Sequence, residues 1–200
     1  MVQAAGAERH KALAQPFIPG RTIVLVGLMG AGKTRIGRRL AVRLGLPFFD
    51  SDSEIEAAAG ETVAEIFANR GEQRFREGER RIITRLLDQP VHVLATGGGA
   101  FMDPQTRAVI ARRGVSVWLR AELDVLAARV ARRGNRPLLK QGDPREILAA
   151  LIETRHPVYA RADLVIDSGE GAPETTVTRA IAALAASPLA HKPPEEEDAQ

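Results

Sequence analysis

The 200-residue chain contains no cysteine. That absence removes disulfides, thiolate metal sites and cysteine nucleophiles from the functions open to it. Aromatic residues make up only 4%, too few for the stacking platforms that bind single-stranded nucleic acid. No uncharged apolar run approaches the ~20 residues that span a bilayer. The N-terminal MVQAAGAERHKALAQ lacks the continuous apolar stretch of a secretory signal. A basic run is missing too: 28 Lys and Arg against 25 Asp and Glu leave a formal charge of +3, with the two signs interspersed. The expectation is a soluble, cytoplasmic protein that binds neither membrane nor nucleic acid. Its arginine-rich body suits small anions such as phosphates or carboxylates.

With 44% apolar and 26% charged residues, the chain has the composition of one globular domain. Residues 1–20 show no period and read as a flexible N-terminal tail. Residues 188–200, PLAHKPPEEEDAQ, combine prolines with an acidic run and read as a disordered tail. The folded body is then 21–187. Within it, short β-branched runs at Thr22–Val26, Pro47–Phe49, Val91–Ala95, Val115–Leu119 and Leu164–Ile166 alternate with helical patterns. Gly32–Leu44 repeats Ile36, Leu40 and Leu44 on one face. Ser51 with Glu54, and Thr62 with Glu65, have capping-box spacing. Asp103-Pro104 and Asp143-Pro144 each place a cap before a first-turn proline. Strands alternating with helices predict an α/β fold, a three-layer α/β/α arrangement around a five-stranded parallel sheet.

The strongest motif is Gly27-Leu28-Met29-Gly30-Ala31-Gly32-Lys33-Thr34, which fits G-x-x-x-x-G-K-[ST] between an expected strand and an expected helix. Glycines let backbone N–H groups of the Gly30-Ala31-Gly32 turn converge on phosphate oxygens at the positive end of the helix. Lys33 would reach the β- and γ-phosphates, and the Thr34 hydroxyl would ligate Mg²⁺. The pattern predicts a nucleoside-triphosphate site. It does not separate a kinase from a GTPase or a regulatory ATPase, although the guanine-reading N-K-x-D motif is absent.

Three later motifs bear on the second substrate. Asp50 and Asp52, in Phe49-Asp50-Ser51-Asp52, suit a division of labour between magnesium and an attacking hydroxyl; they also suit an ordinary helix N-cap. Arg76 and Glu79 share a helix face, either as a surface ion pair or as an anion clamp with its carboxylate support. Thr96-Gly97-Gly98-Gly99-Ala100 reads as backbone packed against a ligand or as a plain flexible turn.

In one order, GLMGAGKT, FFDSD, GEQRFREGE, TGGGA, RPLL and ETRHPVYA resemble shikimate kinase, a small monomeric group within the nucleoside monophosphate kinase-like P-loop enzymes. The likeness runs from about Thr22 to Ala186. It implies ATP-dependent phosphorylation of the 3-hydroxyl of shikimate, a step towards chorismate and the aromatic amino acids, with Mg²⁺ as the accompanying ion. It also implies residue roles. Asp52 would meet the reacting hydroxyl, and Asp50 would organise Mg²⁺ through water. Arg76 and Arg155 would bind the substrate carboxylate, with Gly97, Gly98 and Gly99 lining the ring. Arg136, in a mobile lid at about 133–145, would reach both substrate and phosphate, and Arg129 would stack on adenine. After the last strand the chain has Asp167-Ser168-Gly169-Glu170-Gly171, where some members carry a basic or proline-containing adenine contact.

His92 and His156 lack metal-ligand spacing and read as structural, and Trp118 reads as core. A related kinase acting on gluconate or a nucleotide, and a regulatory ATP-binding module, are the competing functions. The regulatory module would keep Lys33 and Thr34 without needing Asp52, Arg76 and Arg155 in one pocket.

Overall fold

In the computed structural model, residues 17–132 and 143–193 are described. Five strands, β1 (Thr22–Val26), β2 (Phe48–Asp50), β3 (Val93–Ala95), β4 (Gly114–Arg120) and β5 (Leu164–Asp167), form one parallel sheet in the order β2-β3-β1-β4-β5. Val24 of β1 pairs with Leu94 on one side and Ser116 on the other. Every residue of β1 is buried, the continuous apolar pattern of a central strand covered on both faces. Because all pairings are parallel, the five carboxyl ends share one edge, where ligands of open α/β sheets bind.

Helices α1 (Lys33–Leu44), α2 (Ser51–Ala59), α3 (Val63–Leu87), α4 (Pro104–Arg113), α5 (Leu123–Ala131), α6 (Pro144–Tyr159), α7 (Pro173–Ala186) and α8 (Pro188–His191), with a 3₁₀ turn at Ala100–Met102, complete the described structure. They lie on both sides of the sheet. The strands match the sequence expectation to within two residues at each end. Helix α1 buries Ile36, Gly37, Leu40 and Ala41 and stops at Gly45, whose left-handed backbone returns its N–H to the last turn. The Thr62–Glu65 capping box forms, and Asp103 and Asp143 cap α4 and α6 ahead of their prolines. Helix α3 is interrupted at Gly71, where φ is 77°.

The main core surrounds the sheet. A second, smaller cluster of Ile55, Ile66 and Phe75 joins α2 to the first part of α3, and Ile82 packs against both. As expected, Trp118 and His92 are buried, and His156 stands edge-on to Trp118.

Two expectations need correction. The Ser51–Glu54 box does not form. Strand β2 runs directly into α2, so Asp50 takes the N-cap and accepts from the Asp52 N–H. The chain is also not a free tail from residue 188. Helix α8 buries Ala190 completely. The Gly20 N–H donates to the Ala190 carbonyl at 2.7 Å, and Arg21 Nε donates to the carbonyls of Lys192 and Pro193. Phe17 meets His191 edge-on, so residues 17–20, also expected as tail, pack there too. Residues 1–16 and 194–200, Arg136 and nearly all of the expected lid lie outside the described residues. No helix among the described residues is long and apolar enough to cross a membrane.

Candidate active site

The loop after β1 and the start of α1 form a cradle. Gly30 and Gly32 have φ of 84° and 96°, left-handed values that a side chain resists and that turn the peptide N–H groups inward. Lys33 Nζ donates to the carbonyls of Gly27 and Leu28 at 2.6 and 3.0 Å, keeping the ammonium over the loop. Thr34 Oγ1 donates to Asp50 Oδ2 at 2.8 Å. Asp50 therefore uses one oxygen on the threonine and the other on the cap of α2. This hydroxyl–carboxylate pair on the cradle floor offers hard oxygen donors, the chemistry Mg²⁺ takes when phosphates and water supply its other ligands.

One cavity is lined by Gly30, Gly32, Lys33, Thr34, Asp50, Asp52, Thr96 and Gly98. It joins the cradle to the Asp52 carboxylate and to the glycine run after β3. That run is shaped by its neighbours. A Cβ on Gly97 would stand 2.6 Å from Glu79 Oε1 and 2.7 Å from Asp52 Oδ1, and one on Gly99 would press on the Arg76 guanidinium. The Gly97 N–H donates to the buried Ser51 hydroxyl at 3.0 Å. Glycine here permits close approach by charged groups, so the flexible-turn alternative loses its force.

Arg76 is clamped. Its Nη1 donates to Glu79 Oε2 at 2.6 Å, and Glu72 accepts from its Nε and Nη2. The Glu79 side chain is 2% exposed. Burial pushes its carboxyl above the usual range; the Arg76 charge opposes that shift and Asp52 adds to it. For Arg76, burial works against the charged form, but Glu79 and Glu72 together outweigh it and the shift is upward. The pair is thus no exposed surface bridge, and it faces Asp52 across Gly97.

From the other side, α6 brings Arg155 and Tyr159, one helical turn apart. Arg155 Nη1 donates to the Gly98 carbonyl at 3.0 Å, and the Tyr159 hydroxyl donates to the same oxygen. Arg129 lies at the outer rim of the cradle. Its Nη1 donates to the carbonyls of Gly30 and Ala31 and to Ser168 Oγ, and its Nη2 donates to the Gly169 carbonyl. Ser168 also donates to the Ala31 carbonyl at 2.8 Å, so the loop after β5 is tied to the cradle by a buried serine. The structure thus gathers every expected site residue among those described at one sheet edge. Arg136 lies outside them. Sequence reasoning had missed Tyr159, Ser51 and Ser168 as parts of the site. Only Tyr159 carried a signal, its i, i+4 spacing from Arg155 on one helix.

The shikimate kinase family profile matches residues 29–185. The chain is 61% identical over 165 residues to a shikimate kinase of Paramagnetospirillum magneticum, covering 82% of this chain and 85% of that protein. It is similar to the structure of shikimate kinase from Acinetobacter baumannii in complex with shikimate, with TM-score 0.78 and 38% identity over 83% of this chain and 92% of that one. A gluconokinase from Sinorhizobium meliloti, at TM-score 0.60 and 20% identity, covers 84% of this chain and 94% of that one and shares the fold alone. The ordered motifs, the carboxyl-edge site and the family profile covering most of the chain agree: this chain belongs to the shikimate kinase family.

Proposed function

We propose that the chain transfers the γ-phosphoryl group of ATP to the 3-hydroxyl of shikimate, releasing ADP and shikimate 3-phosphate on the route to the aromatic amino acids. One observation carries this reading: Arg76 and Arg155, from different helices, converge on the Gly97–Gly99 run beside Asp52 and the phosphate cradle. A regulatory ATP-binding module needs no such convergence.

In this reading the cradle amides of Gly30, Ala31 and Gly32 hold the phosphates, and Lys33 leaves its carbonyl partners for the β- and γ-oxygens. Thr34 and, through water, Asp50 would hold Mg²⁺, which would supply positive charge to neutralise the phosphate oxygens. Asp52 orients the substrate hydroxyl and accepts its proton as the phosphoryl group arrives. Arg76, fixed by Glu79, and Arg155, fixed by Gly98, pair with the carboxylate, while the glycines let the ring lie against backbone. Arg129 sits where it can cover adenine. The resemblance assigns Arg136 the remaining contact with substrate and phosphate. The same reading takes the enzyme as a cytoplasmic monomer.

The test is ADP release with shikimate, gluconate, AMP or no acceptor. Shikimate alone should support turnover; release that is equal without acceptor, or greater with gluconate, would overturn the proposal. With shikimate, Asp52→Asn should lose ~10²–10⁴-fold in kcat, the usual contribution of positioned proton transfer, and leave the KM for ATP nearly unchanged.

A further inference from the structure

Within the glycine run the Gly97 and Gly99 carbonyls are held by the turn itself, accepting from the Ala100 and Met102 N–H groups at 3.2 and 3.0 Å, whereas the Gly98 carbonyl is bonded from α6. The Gly98 peptide has no Cβ of its own and none on either neighbour, so its carbonyl direction must be set from outside. A carbonyl oxygen has two acceptor sites, and donors from α6 fill both: Arg155 Nη1 at 3.0 Å and the Tyr159 hydroxyl. The tyrosine is the stiffer of the two. It is 1% exposed, and its ring stacks on Phe101 and on Trp118 with centroids 6.3 and 5.9 Å apart. Trp118 in turn sits at the base of the cradle, where a Cβ on Gly27 would meet its ring at 3.3 Å. Burial pushes the Tyr159 hydroxyl up to about 12, so it stays a protonated donor across the working pH range.

We infer that Tyr159 is a positioning residue for substrate: its hydroxyl fixes the Gly98 carbonyl, and through it the Arg155 guanidinium that receives the carboxylate. Arg155 is half-buried and carries the remaining donors of its fork. With the carbonyl pinned by Tyr159, one Arg155 N–H is registered against a fixed oxygen, the guanidinium also meets the Tyr159 hydroxyl directly, and in the proposed function the rest of the fork meets the carboxylate. Without the hydroxyl, the glycine peptide turns and takes Arg155 with it. The ATP cradle has its own anchors at Lys33, Thr34 and Ser168 and does not depend on this bond.

The inference rests on the proposed function and is tested on Tyr159→Phe, which keeps the stacked ring and removes the hydroxyl. A neutral hydrogen bond is worth a factor of about three to ten. The KM for shikimate should rise by that factor, with the KM for ATP unchanged and kcat altered less than threefold. Unchanged KM values, or an equal rise in both with a lowered melting temperature, would assign Tyr159 to packing alone. A second measurement needs no variant. The chain has a single tyrosine, so [¹³Cζ]tyrosine labelling gives one assigned resonance in the full-length enzyme. That resonance should move on titration with shikimate and stay still with ADP. No movement at saturating shikimate overturns the inference even if Tyr159→Phe fails to fold. Wild-type protein that releases no ADP with shikimate overturns the functional proposal instead.

Discussion

Replacing Gly97 by alanine tests whether the glycine run is shaped by the carboxylates it faces. Gly97 is not in the left-handed region, so the backbone tolerates alanine and only the added methyl acts. That carbon would stand 2.7 Å from Asp52 Oδ1 and 2.6 Å from Glu79 Oε1, where ordinary contact begins near 3.4 Å. Glu79 yields least, because it is buried and bonded to Arg76 at 2.6 Å. The methyl is then accommodated by a shift of the Gly97 backbone away from Glu79 together with displacement of the Asp52 carboxylate, by about 0.7 Å. Misplacing a reacting group by an ångström costs about 10²-fold, so kcat should fall by roughly 10- to 100-fold. The crowding should also cost about 1–3 kcal/mol of stability. The KM for ATP should hold, since Gly98 rather than Gly97 adjoins the cradle at Met29. Steady-state ADP release, with each substrate varied in turn, and a thermal melt would measure these effects. Gly78→Ala is the control. It lies within α3 with open space around it, and should leave kcat alone while adding up to ~1 kcal/mol. A Gly97→Ala enzyme with kcat within threefold of wild type would refute the reasoning.

Two further predictions concern stability. His92 Nδ1 lies 2.8 Å from the Pro90 carbonyl, and its buried Nε2 has no partner among the described residues. Burial lowers its pKa below the ordinary 6.5, so its stabilising effect is full above pH 6.5 and is lost as pH falls through the depressed folded value. Urea melts from pH 7.5 to 5 should show His92→Asn flattening the acid loss by up to ~1.4 kcal/mol per pH unit; parallel profiles would contradict this. Ending the chain at Ser187 removes α8, the carbonyl partner of the Gly20 N–H and the two carbonyl partners of Arg21 Nε. The melting temperature should drop by about 3 °C or more, and an unchanged melt would mean that the docking adds nothing.

Legibility in the sequence followed locality. The cradle was readable because eight consecutive residues carry it and their flanks announce a strand and a helix. The five strands were readable because each is short, apolar and bounded by turn residues. Asp50 and Asp52 were readable from their spacing as a pair, and only the family resemblance divided the roles between them. The Thr34 bond and the α2 cap, which bind Asp50 to the cradle floor, appear only once β2 lies against β3 beside β1. The Tyr159 contact spans 61 residues and exists only because α6 crosses the end of β3. The docking of residues 188–193 was hidden by composition. Four helical residues show no period, and the prolines and acids around them imitate a free tail. What secures them is the backbone of Gly20 and the side chain of Arg21, invisible to any local reading.

The second hydrophobic cluster gives the molecule two levels of cooperativity. Ile55, Ile66 and Phe75 contribute roughly 5–9 kcal/mol of burial at ~1.5–3 kcal/mol each, before the entropy of ordering α2 and the start of α3 is subtracted. Ile82 packs against both clusters, so opening that unit should loosen the sheet core only at this junction, and its amides should exchange by a local route at lower cost than global unfolding. Arg76 follows Phe75 directly in the chain, whereas Lys33 and Thr34 begin a helix seated on the central sheet. In the proposed roles, Arg76 therefore rides on this smaller unit while Arg155 and the cradle are seated on the main core, and a destabilised α2–α3 unit should slacken one of the two arginine contacts to the acceptor while the nucleotide end stays folded.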